Sequence, residues 1–478
     1  MVCMVVIRSA FRTCLIGITA AGVLAIGAPK AAIADTLPWA LIQAYQNNPQ
    51  LNAQRAAVRA TDESVPQALS GYRPRISLSA TAGEQYLDQL TKTSGPTTNP
   101  ATYSKTSGAT GLQTYGGTFS QTLLNGFSTA NRTRQAEQLV SAARETLRLT
   151  EQTVLLNAAT AYMNLIRDAA ILDLQRRNVE VLQEQLRQTR DRFGVGEVTR
   201  TDVAQSESRL AAARASMLSA ESSFTTSRST YRQVVGVEPG KLSPASPVDR
   251  LSPHNLVTAI LEARARHPAV TNAMFNVDAA LLQVKIAEGA LYPTLNLVAS
   301  AQQSYGSASS LASLQTFSGS VTGQLSVPIY QGGGEYATIR QAKETLGQRR
   351  IDLDTARDQS QQTLVQSWGQ LEAAKAQIQA TTTQVNAAEI ALNGVREEAR
   401  VGQRTTLDVL NAQQELVNAR VSLVTAQRDR VVASYALLAA AGRLSPPVLG
   451  LGIETYDPAV HYHQVRDTWI GVRTPDGK

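Results

Sequence analysis

Four stretches of the chain alternate apolar and small or polar residues with a period of two. After Pro74, Ile76, Leu78, Ala80 and Ala82 share one parity against Ser77, Ser79, Thr81 and Gly83. Before Gly126 the same alternation runs through Tyr115, Phe119 and Leu123. Leu295, Leu297, Ala299 and Ala301 form a third set, and Phe317, Val321, Leu325, Val327 and Ile329 a fourth. Alternation of this kind predicts strands with one apolar face. Each stretch has the roughly 10 residues that a tilted strand needs to cross a bilayer. The Gly/Ser/Thr-rich segments between the strands of each pair, 91–111 and 306–314, read as long polar loops.

The rest of the pattern is helical. Residues 37–70 and 254–290 have helical spacing, and 127–192 and 333–398 lack proline and have few glycines. Each of the latter would extend about 100 Å at 1.5 Å per residue. Leu165, Leu172, Val179, Leu186 and Phe193 are seven apart, as are Leu371, Ile378, Val385, Leu392 and Ala399. So are Val203, Leu210, Met217, Phe224 and Tyr231, and Leu410, Val417, Val424, Val431 and Leu438. A strict step of seven imposes left-handed supercoiling. The stripe is narrow and the other face polar, so water lies alongside. Segments 37–70 and 198–235 together run to about 72 residues, near the 66 of one long helix. Two shorter helices are therefore expected to stack end to end beside one long one.

The chain repeats itself. Ala44, Pro49 and Pro74 match Ala263, Pro268 and Pro293 at an offset of 219, and Gly71-Tyr72-Arg73-Pro74 aligns with Ala290-Leu291-Tyr292-Pro293. At an offset of 206, Ser120, Gly126, Val195-Gly196, Asp202-Val203 and Gly236 match Ser326, Gly332, Val401-Gly402, Asp408-Val409 and Gly442. Units near 200 residues indicate a duplicated domain, not a solenoid. The expected organisation is a first repeat over 35–235, an irregular linker over 236–253, a second repeat over 254–442 and an irregular tail over 443–478.

Residues 1–34 read as a secretory signal: Arg8 and Arg12, an apolar run from Leu15 to Ala28, and Ala32-Ile33-Ala34 before Asp35. Its loss would remove Cys3 and Cys14, leaving no thiol. The net charge of +7 would fall by the three bases in that segment to +4 (7 − 3). That mild excess, without a basic patch interleaved with aromatics, argues against nucleic acid. No later stretch approaches 18 consecutive apolar residues, so a membrane location requires a closed barrel. His254, His267, His461 and His463 form no catalytic or metal motif, and two histidines in a tail fall short of a ligand set. No cofactor or metal is expected.

Two related turns end the long helices: Val195-Gly196-Glu197-Val198-Thr199-Arg200-Thr201-Asp202-Val203 and Val401-Gly402-Gln403-Arg404-Thr405-Thr406-Leu407-Asp408-Val409-Leu410. Gly196 and Gly402 suit a left-handed helix end. Thr199 with Asp202, and Thr405 with Asp408, have capping-box spacing with Asp in place of Glu. Helix capping alone would account for both acids.

With its duplicated halves, its strand–long helix order and two copies of the V-G-x-x-T-x-x-D-V turn, the chain resembles the TolC-like family of outer-membrane export channels. The resemblance covers about 37–445. It implies a mixed α and β fold and a homotrimer. Each chain would give four strands to a twelve-stranded barrel in outer-membrane lipid, and its helices to a periplasmic tunnel. It implies a tripartite export system, for protein secretion or drug efflux, whose inner-membrane transporter and periplasmic adaptor open the tip. Val195, Gly196, Val401 and Gly402 would meet the adaptor. Asp408 would line the constriction as a ring of three carboxylates that raise one another's pKa values. Asn411 stands where well-known members have a second acid. Arg404 would tie the closed tip to the neighbouring turn at Thr201 and Asp202, and Ala399 replaces a tyrosine of that lock. The alternative is a trimeric coiled-coil adhesin or periplasmic scaffold without transport.

Overall fold

The structure is a computed structural model that describes residues 35–93, 102–253, 255–308, 311–475 and 477. The predicted export signal lies outside the described residues. The first half runs α1 (Leu37–Asn47), α2 (Pro49–Asp62), α3 (Ser64–Leu69), β1 (Arg75–Thr93), β2 (Thr102–Asn125), α4 (Ser128–Gly194) and α5 (Arg200–Val235). The second runs α6 (Leu256–Arg266), α7 (Pro268–Gly289), β3 (Thr294–Ala308), β4 (Leu311–Ser326), α8 (Gly334–Arg400) and α9 (Thr406–Ala440). The tail, expected to be irregular, holds two short helices, α10 (Pro446–Leu449) and α11 (Pro458–Val465). A proline at the first turn starts each, and Asp457 caps α11 by accepting from the Ala459 amide.

The four strands form one antiparallel sheet in the order β1-β2-β3-β4. The segments expected to be loops are mostly strand: β1 runs on to Thr93, β2 starts at Thr102, and β3 and β4 reach Ala308 and Leu311. An antiparallel ladder is made by backbone groups, and Thr and Ser accept the extended conformation as readily as apolar residues do.

Register sorts the side chains by face. Ile76 pairs with Phe119, Phe119 with Ala299, and Ala299 with Val321. One pleat over, Ser77 pairs with Thr118, Thr118 with Ser300, and Ser300 with Ser320. A bulge between Thr122 and Leu124 brings Leu124 opposite Leu295 and Leu325, back on the apolar face. That face is bare: Leu78 is 87 % and Val321 73 % exposed.

The 67-residue helices α4 and α8 carry the scaffold. Against α4 lie α1 to α3 along one part and α5 along the rest; α6, α7 and α9 flank α8 in the same way. The stacking joints are explicit. An added Cβ on Gly236, at the end of α5, would sit 3.0 Å from Cβ of Asn47, and one on Gly442 would sit 2.9 Å from Pro268. Asn48 closes the first joint by donating to the Val234 carbonyl at 2.9 Å. The expected single stretch 37–70 breaks at Asn48, where Pro49 begins a new helix, and again at Glu63.

Leu165, Leu172, Val179, Leu186, Leu371, Val385, Leu392, Leu210, Leu410, Val417 and Val431 of the seven-residue stripe are buried. Phe193, next to the tip, is 45 % exposed. The largest apolar core lies midway along the helices, where Leu41, Leu51, Leu155, Tyr162, Tyr231 and Leu438 meet. Cutting a fully buried leucine here to alanine costs about 2–5 kcal/mol. The Tyr162 hydroxyl lies 2.8 Å from the Asp35 carbonyl and 2.7 Å from that of Ser243, pinning the linker to the long helix. Burial pushes its pKa up to about 12.

Candidate functional site

The two turns at the far end of α4 and α8 are built alike. Gly196 and Gly402 have φ of 78° and 83°. The amide after each glycine bonds back to the helix: Glu197 N to Arg192 O at 2.9 Å, and Gln403 N to Glu398 O at 2.9 Å. Both capping boxes are present. Thr199 donates from its amide and hydroxyl to Asp202 Oδ2 at 2.9 and 2.7 Å. Thr405 does the same to Asp408 Oδ2 at 3.0 and 2.9 Å. In return the Asp202 and Asp408 amides donate to the threonine hydroxyls. For Asp202 the Thr199 hydroxyl, and for Asp408 the Thr405 amide, is the main reason the carboxyl lies below the usual range. Within one chain this opposes the rise expected for a ring of like charges.

Each turn is also spanned by an ion pair, with opposite polarity. Arg192 Nη2 lies 2.6 Å from Glu197 Oε1 before and after the first glycine. In the second turn the acid comes first: Arg404 Nε lies 2.8 Å from Glu398 Oε2. The Arg404 guanidinium, raised in pKa mainly by its hydrogen bond to Glu398, is thus held on its own turn. Arg404, Thr199 and Asp202 line one cleft between the two turns, and Thr201 lies exposed beside it. Asp408 is half-buried, and Asn411, one turn on, is exposed and accepts from Arg209 Nη2 at 2.7 Å. Val195 and Val401 stand out at 79 % and 71 % exposure. Glu398, Arg192, Glu197 and Arg209 were not singled out from the sequence. Opposite charges flanking each glycine were the available signal for the first three.

The tail histidines make other contacts. His461 Nδ1 lies 3.0 Å from Oδ2 of the fully buried Asp62, and His463 packs edge-on to Tyr462. Among the described residues no helix is long and apolar enough to cross a membrane. The sheet supplies the apolar surface instead.

The outer membrane efflux protein family model matches residues 40–237 and 259–443. The chain belongs to the outer membrane efflux protein family. It is similar to the outer membrane efflux protein BepC of Brucella suis biovar 1, with 44 % identity over 458 residues and 94 % of each chain. It is 28 % identical over 429 residues to the outer membrane protein TolC of Escherichia coli, covering 85 % of this chain and 82 % of that one. The crystal structure of VceC from Vibrio cholerae superposes with a TM-score of 0.67 at 20 % identity, over 85 % of this chain and 96 % of that one. The protein is therefore an outer-membrane export channel whose helical part lies in the periplasm. Its partners are of the adaptor and transporter kind. The scaffold and adhesin alternative falls with that membership.

Proposed function

We propose that three copies close the channel and that its periplasmic tip is both gate and filter. The observation that carries this is the sheet: four strands, one apolar face, and open edges at β1 and β4. In lipid an open edge leaves backbone groups unsatisfied, so β1 of one copy pairs with β4 of the next. Three copies give twelve strands, an even number suited to an antiparallel barrel. Polar residues then line the lumen.

At the tip Asp408 of each copy contributes to a carboxylate ring that draws cations. Asn411 lies beside it. Arg404 closes the tip toward Thr201 and Asp202 of the adjacent turn, leaving Glu398 to do so. The exposed valines Val195 and Val401, beside Gly196 and Gly402, offer the adaptor an apolar contact. Docking there, with the transporter behind it, parts the turns.

Purified protein in a planar bilayer tests this. Arg404→Ser should raise resting conductance, and Asp408→Ala should reduce cation selectivity and block by multivalent cations. Light scattering should give a trimer mass. Unchanged reversal potential in Asp408→Ala would leave Asp408 a helix cap alone; unchanged conductance in Arg404→Ser would place closure on the packed stripe.

A further inference from the structure

The register sorts the paired strand residues between two faces of the sheet, and the polar face is almost free of charge. Arg75 is the one charged side chain on it among the described residues. It pairs with Ser120, which pairs with Val298, which pairs with Thr322. Glu84, Asp88, Lys92 and Lys105 have the other parity and belong to the apolar face, on the part of β1 and β2 away from the helices.

Arg75 stands at the strand base, where the sheet meets the long helices. A cavity of about 650 Å³ there is lined by all four strands, through Arg75, Ser120, Asn296 and Gln324 among others. In a membrane barrel the polar face lines the lumen. Arg73 and Arg132 line the same cavity, and no acid does. Arg73 is engaged: Nη1 donates to the Thr468 carbonyl at 2.7 Å, and its guanidinium lies over the Trp469 ring. Arg75 and Arg132 make no ion pair among the described residues, and both are exposed.

We infer that Arg75 and Arg132 form a cationic collar at the inner mouth of the barrel, which binds multivalent anions in the lumen. This rests on the closed trimer proposed above, where three copies would set six uncompensated guanidiniums around one opening. Guanidinium offers paired N–H groups that match the oxygens of phosphates and carboxylates. Rings of arginine make pores favour anions. The surrounding Ser, Thr, Asn and Gln side chains are neutral, so nothing nearby cancels that field. The collar sits a helix length from Asp408, far beyond the roughly 10 Å over which salt lets charges interact. The two sites therefore act in series and separately.

Inorganic tripolyphosphate added on the extracellular side of trimers in a bilayer is the probe. It should block current in the wild-type protein. The double variant Arg75→Gln, Arg132→Gln should need roughly tenfold more for half-block, the factor that loss of charge-assisted contacts carries. Arg75→Lys with Arg132→Lys should retain the block, and Asp408→Ala should leave it unchanged. Block of the glutamine double variant at the wild-type concentration would overturn the collar. If the protein forms no conducting pore, the trimer and channel reading fails separately. Calorimetric binding of tripolyphosphate to the detergent-solubilised protein then decides: binding lost in the double variant supports the collar, and absent or unaltered binding refutes it.

Discussion

Arg209 on α5 donates from Nη2 to Oδ1 of Asn411 on α9 at 2.7 Å, joining the two returning helices just above the tip. Asn411, which the resemblance sets at a position acidic in other members, is thus engaged by a guanidinium in this chain. We expect Asn411→Asp to add little cation selectivity, because Arg209 would neutralise it. Asn411→Asp combined with Arg209→Gln should shift the reversal potential in a salt gradient clearly toward cations. If the single variant shifts it as far as the double one, Arg209 does not govern the charge here.

The caps at Thr199 and Thr405 hold the returning helices to the tip. Thr405→Ala should cost about 1 kcal/mol in local stability, and Thr405→Ser much less. Faster amide exchange confined to the first turn of α9 would show this. Asp408 is held below the ordinary carboxyl range by the Thr405 amide and hydroxyl. Its contribution is complete above its unfolded value of about 3.9 and is lost as pH falls through the lowered folded value. Exchange at the tip should thus be insensitive to that carboxyl across neutral pH; a transition near neutrality that Asp408→Asn abolishes would contradict this.

His267 makes the joint between α6 and α7 sensitive to acid. Its Nδ1 accepts from the Ala269 amide at 3.2 Å, capping α7, and Gly442 packs over the ring. Burial is the main cause of its lowered pKa. The folded protein therefore resists a proton that the unfolded chain takes up near pH 6.5. Stability is full above that value and declines as pH falls toward the lowered one. Thermal unfolding should come earlier at about pH 5.5 than at about pH 7.5. His267→Asn, which keeps a capping oxygen, should flatten that difference. An equal loss in both proteins would mean that other groups carry it.

Gly126 and Gly332 match in the repeat but differ in tolerance. Both have positive φ, 59° and 75°. A Cβ on Gly126 would collide with the Gly289 carbonyl oxygen, whereas one on Gly332 meets nothing within 4 Å. Gly332→Ala should cost about 1–2 kcal/mol from the left-handed backbone alone. Gly126→Ala should cost more and should reduce the amount of folded protein recovered in the outer membrane. Equal losses on immunoblots of membrane fractions would show that the contact with Gly289 relaxes freely.

Much of this architecture was legible because it is periodic. Leu172, Val179 and Leu186 were marked for burial by their spacing, and Ile76 with Phe119 were placed on one apolar face by parity. Gly196 and Gly402 with their Thr-x-x-Asp boxes announced the turns, since caps depend on neighbours three residues away. Strand ends were not legible: Thr102 to Gly111 looks like a loop, yet it pairs along its whole length with β1. Backbone hydrogen bonds make that ladder, and they leave no mark on side-chain pattern.

The sequence by itself determined the elements, their repeat and the face that each buries, because those follow from local steric and solvation preferences repeated at fixed intervals. Only the tertiary structure decided which distant polar groups meet. Arg209 reaches Asn411, and Arg75 with Arg132 face one opening. Those pairings join residues as far as 202 positions apart along the chain. Their distances are set by how supercoiled helices and the sheet pack, which no single segment encodes.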